Sequence, residues 1–229
     1  MTRHSRVLLS KIGLLLPRLV ATSKDLWNSP RLPEIYPEYL CMLHTAIRST
    51  VPLMECALQE ARDRAEDDPV AEHLVGYLTR HIREEQGHDE WLRQDLEALG
   101  HDPREPLRRL PDASVANLVG AQYYWIRHYH PACLLGHIAV LEGNPPAREL
   151  TAELMRRTGF PRTAFRTLER HAALDVRHRA ELLRTLDQLP LTRDLATAIG
   201  LSALHSVDAA DTALRAVLAS RPAPALAAT

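Results

Sequence analysis

Proline and glycine interrupt this 229-residue sequence at intervals that leave only helix-sized segments between them. Strong breaks fall at residues 29–33, 100–111 and 143–146, because proline cannot continue a helix through its interior without losing a backbone hydrogen bond. Leu, Ala, Arg and Glu dominate the segments between the breaks, whereas the whole chain has two Phe and nine Gly. These preferences favour helices over strands. The sequence therefore predicts an all-α fold.

The breaks predict a single domain over residues 1–229, built as one bundle of about seven helices. Residues 1–30 would form an N-terminal helix and its connection, and the Pro/Ala-rich residues 221–229 would form a disordered tail. Pro52 should kink the second helix. The predicted helices cover residues 5–21, 37–66, 69–99, 113–129 with a continuation over 133–142, a short helix ending at 157, 162–189 and 191–220.

Charge and hydropathy exclude several classes of protein. The chain has 28 basic and 29 acidic residues, so it has no basic field to hold nucleic acid. No segment reaches the roughly 18 uninterrupted apolar residues of a membrane span, and Lys11 interrupts the apolar N-terminal stretch, which is untypical of a signal peptide. Three widely spaced cysteines are typical of reduced thiols. We expect a cytoplasmic protein that binds neither membrane nor nucleic acid.

The segment 81–88 (HIREEQGH) carries a first group of possible metal ligands. On a continuous helix, His81, Glu85 and His88 would fall within roughly 60° of one another, with Glu84 at the edge of that face. Helical bundles use the Glu85-x-x-His88 spacing to present two ligands to one metal. A solvated, charged helix face with incidental histidines would give the same pattern, so this segment alone does not decide between the two.

The segment 171–178 (HAALDVRH) carries a second group. Offsets of four and three residues place His171, Asp175 and His178 within about 40° on one helix face. Two imidazoles and a carboxylate are the ligand types of a non-haem iron site with positions left open for substrate or O2. A chance polar face is the alternative, but three possible ligands in helical phase favour metal binding from one helix.

Glu142 is a lone acid between an apolar helix and Gly143. Such a residue is most often a solvated helix end, although a negative charge near a helix C-terminus opposes the macrodipole. A bound cation would offset that cost. The position of Glu142 is therefore compatible with metal binding, but does not by itself decide for it.

Together these segments resemble the haem-oxygenase-like diiron oxidases and oxygenases, often labelled iron-containing redox enzymes. The resemblance covers roughly residues 35 to 190. Residues 84–100 are similar to that family's long central helix, and Val-Leu-Glu142-Gly143 is similar to its next ligand-bearing helix. Ferritin-like diiron proteins carry two Glu-x-x-His motifs, and these clusters contain that step only once, so the ferritin-like fold fits less well.

The resemblance implies a seven-helix bundle that holds two Fe(II) ions between three core helices, with O2 as co-substrate. His88, Glu142, His171, Asp175 and His178 match the family pattern. The match, together with the position of Glu142 at a helix end, predicts that Glu142 binds metal across helices, facing His88. Family members place one further Glu either seven or three residues before the equivalent of His88, and these positions are His81 and Glu85 here. We expect Glu85 to be the ligand, with His81 and Glu84 as further candidates.

The implied function is that of a diiron oxidase or oxygenase acting on a small organic molecule. Relatives carry out oxidative decarboxylation, N-oxygenation or C–C cleavage, many of them in secondary metabolism, and the ligand set does not choose among these reactions. The sequence does not decide whether the enzyme uses an external electron donor or whether it forms a homodimer. The alternatives are a metal-free thiaminase-like or quinone-forming enzyme on the same scaffold, and a non-catalytic helical protein that binds a metal or a partner.

Overall fold

A computed structural model of the chain describes residues 3–147 and 149–220. These residues contain helices and connections but no strand, which agrees with the predicted all-α class. The tail predicted over 221–229 lies outside the described residues. The α-helices are α1 His4–Asn28, α2 Leu32–Ile47, α3 Thr50–Arg64, α4 Pro69–Glu85, α5 His88–Ala98, α6 Glu105–Arg108, α7 Ala113–His128, α8 Leu134–Leu141, α9 Leu150–Thr158, α10 Arg166–Gln188 and α11 Arg193–Ala219, and short 3-10 turns precede α8 (Pro131–Cys133) and α10 (Arg162–Phe165).

The described residues form eleven α-helices where about seven were predicted, because three predicted helices are divided, at Arg48, at Gly87 and before α8, and the short α6 lies in the predicted break at 100–111. The predicted helix over 37–66 stops at Ile47 and restarts at Thr50. Pro52 lies in the first turn of α3, where its missing amide donor costs nothing. Inside a continuous helix its ring would clash with the carbonyl group of Arg48. The proline therefore marks the start of a new helix, and the predicted kink is a complete break.

The second division lies at Gly87, between α4 and α5. The predicted start of this region is confirmed, because Asp68 caps α4 by accepting hydrogen bonds from the backbone N–H groups of Val70 and Ala71. The helix then ends at Glu85, and Gly87 has a φ of 81°, a left-handed conformation that glycine adopts without steric cost. The prediction that His81, Glu85 and His88 share one face of one helix is therefore wrong, although all three side chains are buried.

The N-terminal helix is longer than predicted and packs along α11. Its buried residues include Leu8, Ile12 and Leu26, and the Arg18 guanidinium donates to the buried Asp211 carboxylate on α11 at 2.7 Å. No helix among the described residues is long and apolar enough to cross a bilayer. α1 is thus a packing element of the bundle.

α11 also makes a close backbone contact with α8. A Cβ atom on Gly136 would lie 2.2 Å from the carbonyl oxygen of Ile199, so only glycine permits this helix–helix approach. The contact fixes the depth of α8 in the bundle. Because Glu142 follows the last residue of α8, the same contact fixes where that carboxylate lies.

α10 is attached to α5 at its N-terminus. The buried carboxylate of Asp95 accepts hydrogen bonds from the backbone N–H groups of Arg166 at 3.2 Å and Thr167 at 3.0 Å. These N–H groups begin a helix and have no partner within it. The carboxylate therefore holds the start of α10 against α5, and with it the segment that contains His171, Asp175 and His178.

Candidate metal centre

The eight residues predicted as ligands come together where α4, α5, α10 and the end of α8 meet. His81, Glu85, His88, Glu142, Asp175 and His178 are buried, and Glu84 and His171 are half-buried. Buried charged groups are rare unless they are paired or bind a cation. The burial of this whole set therefore separates it from a solvated surface face.

Four of these residues form a first donor group. One possible ligand atom from each of His81, Glu85, Glu142 and His178 lies within 4.8 Å of the others. His81 Nε2 is 2.8 Å from Glu142 Oε1. His178 Nδ1 is 3.3 Å from Glu85 Oε1 and 3.9 Å from Glu142 Oε2. Two imidazoles and two carboxylates thus converge from three helices.

A second donor group consists of Glu85, His88 and His171, again with ligand atoms within 4.8 Å of one another. His88 Nδ1 is 3.0 Å from Glu85 Oε2, but the two atoms do not have hydrogen-bond geometry and His88 Nδ1 has no other partner. Glu85 therefore belongs to both groups. Its Oε1 atom faces His178 of the first group and its Oε2 atom faces His88 of the second.

The backbone sets the orientation of His171. Its Nδ1 atom lies 3.0 Å from the carbonyl oxygen of Thr167, one turn earlier on α10. A carbonyl oxygen only accepts, so Nδ1 carries the proton and Nε2 keeps its lone pair. Metal-binding histidines are commonly oriented in this way through their second nitrogen.

Several buried polar atoms at this junction have no hydrogen-bond partner among the described residues. They include one carboxylate oxygen of Asp175, one of Glu142 and ring nitrogens of three histidines. Each such atom costs about 1–3 kcal/mol when left unpaired in the interior. Their concentration at one place fits a site built for a cation. The atoms are Tyr77 Oη, His81 Nδ1, Glu84 Oε2, His88 Nδ1, Glu142 Oε2, Asp175 Oδ1, His178 Nδ1 and His178 Nε2.

The electrostatics of the carboxylates agree with that interpretation. Burial, together with the charges of Glu142 and Glu85, raises the pKa of Asp175 to about 8. Burial also raises the pKa of Glu142 despite its hydrogen bond to His81. Carboxyl groups with raised pKa values lack sufficient positive charge nearby. A divalent cation would supply that charge and favour the ionised form.

Three predicted ligands lie in positions that differ from those the sequence predicted. Asp175 is buried beside the first group but belongs to neither donor group. Glu84 also lies outside both groups and contacts His178 on its far side. Glu142 contacts His81 and His178, so it faces the first group, whereas the sequence had paired it with His88.

Two aromatic residues at the site were not recognised as such in the sequence. Tyr77 stacks on His81 with ring centroids 5.3 Å apart, and its buried hydroxyl group has no hydrogen-bond partner in the part of the chain that the structure describes. Trp91 stacks on His88 with ring centroids 3.9 Å apart. The sequence spacing could have predicted both contacts, because each aromatic residue is one helical turn from the histidine that it contacts.

Comparison with known proteins identifies the family and the fold of this chain. The family model described as iron-containing redox enzyme matches residues 69–211, which is more than half of the chain and includes all eight residues above. The chain therefore belongs to the iron-containing redox enzyme family. No protein of curated function matches the chain in sequence.

Two solved structures show the same architecture. A domain of unknown function with a haem-oxygenase-like fold from Shewanella denitrificans OS217 is 12% identical, with a TM-score of 0.78 over 95% of this chain and 93% of that chain. A TenA homolog from Pseudomonas syringae pv. tomato DC3000 is 16% identical, with a TM-score of 0.72 over 93% of this chain and 91% of that chain. At these identities the likeness concerns the fold, and it confirms the predicted haem-oxygenase-like bundle.

Proposed function

We propose that this chain is a non-haem iron oxidoreductase that activates O2 at a dinuclear iron site and oxidises a small organic substrate. The observation that carries the proposal is the position of Glu85, whose two oxygen atoms face two different donor groups. A carboxylate shared in this way suits two metal ions side by side. Membership of the iron-containing redox enzyme family supports iron as the metal.

The donor set also supports iron chemically. Each group mixes imidazole nitrogen with carboxylate oxygen, a combination used by non-haem iron enzymes that keep positions open for O2 and substrate. Bound iron would supply the O2 activation and the redox chemistry. The second group has only three residues, one fewer than the first. A metal bound there would therefore have more coordination positions open for O2 or substrate. Asp175, which is buried and has one unpartnered oxygen among the described residues, is a further possible ligand.

The chain's own residues set the surroundings of that chemistry. α4, α5 and α10 bring the ligands together, and the burial of His81, His88 and His178 keeps bulk water away from their ring nitrogens. The Thr167 carbonyl group keeps the proton on His171 Nδ1. Oxidative decarboxylation, N-oxygenation and C–C cleavage all remain within the proposal, because ligands of this kind do not select the reaction.

Two of the three cysteines, Cys41 and Cys133, are poorly suited to act as the nucleophile of a metal-free enzyme. Burial raises the pKa of Cys41 and of Cys133 to about 12, whereas a nucleophilic cysteine needs a lowered pKa. The buried imidazole and carboxylate cluster could still act as a base without metal. Iron binding separates these two possibilities.

The test is anaerobic titration of the metal-free protein with Fe(II), followed by exposure to O2. We expect about two iron ions per chain, as the shared carboxylate implies, and a transient visible absorption band after O2 is added. His178→Ala should lose the iron of the first group and keep its helical circular dichroism. The exposed His73 on α4 provides the control, and His73→Ala should bind iron as the wild type does. Absence of iron uptake by the wild type would contradict the proposal.

A further inference from the structure

A cavity of about 220 Å³ lies where the start of α1, the end of α10 and the start of α11 meet. None of its lining residues belongs to either donor group of the metal centre. At roughly 30 Å³ for each water-sized atom, it has room for about seven non-hydrogen atoms. Large apolar side chains form much of its wall, from Val7, Leu8, Leu186, Leu191 and Ile199. The cavity therefore suits a small organic molecule with an apolar body.

The titratable side chains of this cavity are all basic. Lys11, Arg193 and His4 line it, and no acidic residue among the described ranges does. Neither Lys11 nor Arg193 forms an ion pair within the part of the chain that the structure describes. The carboxylate of Asp187, at the end of α10, accepts hydrogen bonds from the backbone N–H group and the hydroxyl group of Ser5 at 2.9 and 2.8 Å. Two cations without a counter-ion beside an apolar wall favour a ligand that carries negative charge.

The Lys11 ammonium group lies against a glycine of α11. Gly200 is buried in the interior of that helix, where glycine is less favourable than alanine. A Cβ atom on Gly200 would lie 2.6 Å from Lys11 Nζ and 2.7 Å from Lys11 Cδ, so the lysine side chain keeps this position only if residue 200 is glycine. Nζ donates to the carbonyl oxygen of Ala196 at 3.5 Å, and its other two N–H groups have no partner among the described residues. The packing therefore holds at the cavity a positive charge that still has free donors.

We propose that this cavity binds a small organic monocarboxylate, at a site separate from the metal centre. The carboxylate accepts hydrogen bonds from Lys11 and Arg193, and the apolar part of the ligand lies against the wall formed by α1, α10 and α11. Hydrogen bonds between charged groups are the strong ones in proteins, and the two oxygen atoms of a carboxylate match an ammonium and a guanidinium donor. The proposal does not rest on the iron chemistry proposed above, so each can fail without the other.

The chain contains a matched control for each of two test substitutions. Lys11→Met removes the charge and keeps the length of the side chain, and Lys24, the only other lysine, is exposed on the same helix. Gly200→Ala displaces the Lys11 ammonium group through its added Cβ atom. Gly120→Ala makes the same change in the interior of α7, where no atom lies within 4 Å of the new Cβ. Lys24→Met and Gly120→Ala thus change the charge and the helix propensity without touching the cavity.

The experiment is calorimetric titration of the full chain, without added metal, with hexanoate, hexan-1-ol and inorganic phosphate. We expect hexanoate to bind at one site and the other two to bind at least about tenfold more weakly, because hexan-1-ol lacks the charge and phosphate lacks the apolar body. Lys11→Met and Gly200→Ala should each weaken hexanoate binding about tenfold, as expected for the loss of one charge-assisted hydrogen bond. Lys24→Met and Gly120→Ala should bind it as the wild type does. Absence of hexanoate binding, equal binding of hexan-1-ol or phosphate, or undiminished binding by either cavity variant would each overturn the proposal.

A second measurement uses the wild type and needs no substitution that could disturb the fold. The two lysines give two Nζ signals in a 15N spectrum, and hexanoate should shift the signal of Lys11 and leave that of Lys24 in place. An unshifted Lys11 signal, or equal shifts of both lysines, would overturn the proposal even if calorimetry detects binding. Failure of the chain to bind iron would overturn the proposed function and leave both results for this cavity unchanged.

Discussion

The oxygen atoms of Glu85 lie 3.0 Å from His88 Nδ1 and 3.3 Å from His178 Nδ1, one on each side of the carboxylate. Burial works against the charge of this residue, but the neighbouring imidazoles outweigh it and hold the pKa of Glu85 below its ordinary value. Glu85 is therefore ionised, and its carboxylate lies between imidazoles of the two donor groups. At the scale of single residues, we therefore expect metal binding at both sites to require Glu85.

We predict that Glu85→Ala abolishes binding of both metal ions, whereas His81→Ala abolishes only the first and His88→Ala only the second. The reason is that Glu85 is the one residue common to both donor groups. Iron stoichiometry after anaerobic titration measures the effect, and Glu72→Ala, at an exposed position on the same helix, is the control. If Glu85→Ala kept both ions and His81→Ala lost one, the site would be a histidine-rich variant with no shared carboxylate.

At the scale of the helices, the break between α4 and α5 determines how the two halves of segment 81–88 reach the metal centre. His88 is the first residue of α5, and the left-handed Gly87 before it sets the direction of that helix. Gly100, just beyond the other end of α5, has nearly the same φ, 80° against 81°. Neither glycine has an atom within 4 Å of the place where a Cβ would stand.

The two glycines therefore form a matched pair for a second prediction. Gly87→Ala and Gly100→Ala should each lower the free energy of unfolding by about 1–2 kcal/mol, because an L-residue is strained at positive φ. Only Gly87→Ala should also weaken metal binding, and mainly at the second site, since relief of the strain there moves His88. Chemical denaturation and metal titration of both variants measure the two effects. Equal metal affinity in the two variants would show that the Gly87 turn does not set the position of His88.

At the scale of the whole molecule, a buried polar network joins α7, α8 and α11 away from the metal centre. His137 Nδ1 is 2.9 Å from Ser206 Oγ, whose own proton goes to the carbonyl oxygen of Ser202. His137 therefore donates to Ser206, and Gln122 links to both serines. Burial, with a smaller effect from His205, lowers the pKa of His137 to about 4.

This network predicts a loss of stability in acid. An unfolded histidine has a pKa near 6.5, so as the pH falls from 6.5 towards 4 the unfolded chain takes up a proton that the folded protein does not. The contribution of neutral His137 to the free energy of unfolding is therefore fully present above pH 6.5. It falls by on the order of 3 kcal/mol as the pH is lowered from 6.5 to 4. Urea denaturation at pH 7 and pH 4.5 should show a smaller difference for His137→Gln than for the wild type. His73→Gln, an exposed replacement, should behave as the wild type, and an unchanged pH dependence in His137→Gln would contradict the prediction.

Local features of the sequence determined the helical class and much of the set of candidate ligands. The start of α4 follows from Asp68 and Pro69, which cap and begin a helix whatever surrounds them. His171, Asp175 and His178 lie on one continuous helix, α10, where a spacing of three and four residues defines a face. Both inferences depend only on neighbours along the chain, and a sequence contains that information directly.

Only the tertiary structure decided how those residues divide between two groups. His81 meets Glu142 from 61 positions away, and Glu84 and Glu85, adjacent in sequence, contact opposite nitrogens of the same His178 ring. The Gly87 turn separates His88 from the face that carries His81. Helical periodicity gives the direction of a side chain relative to its own axis, whereas distances between ligands depend on how helices distant in sequence pack. The sharing of Glu85 is a consequence of that packing, and no local pattern contains it.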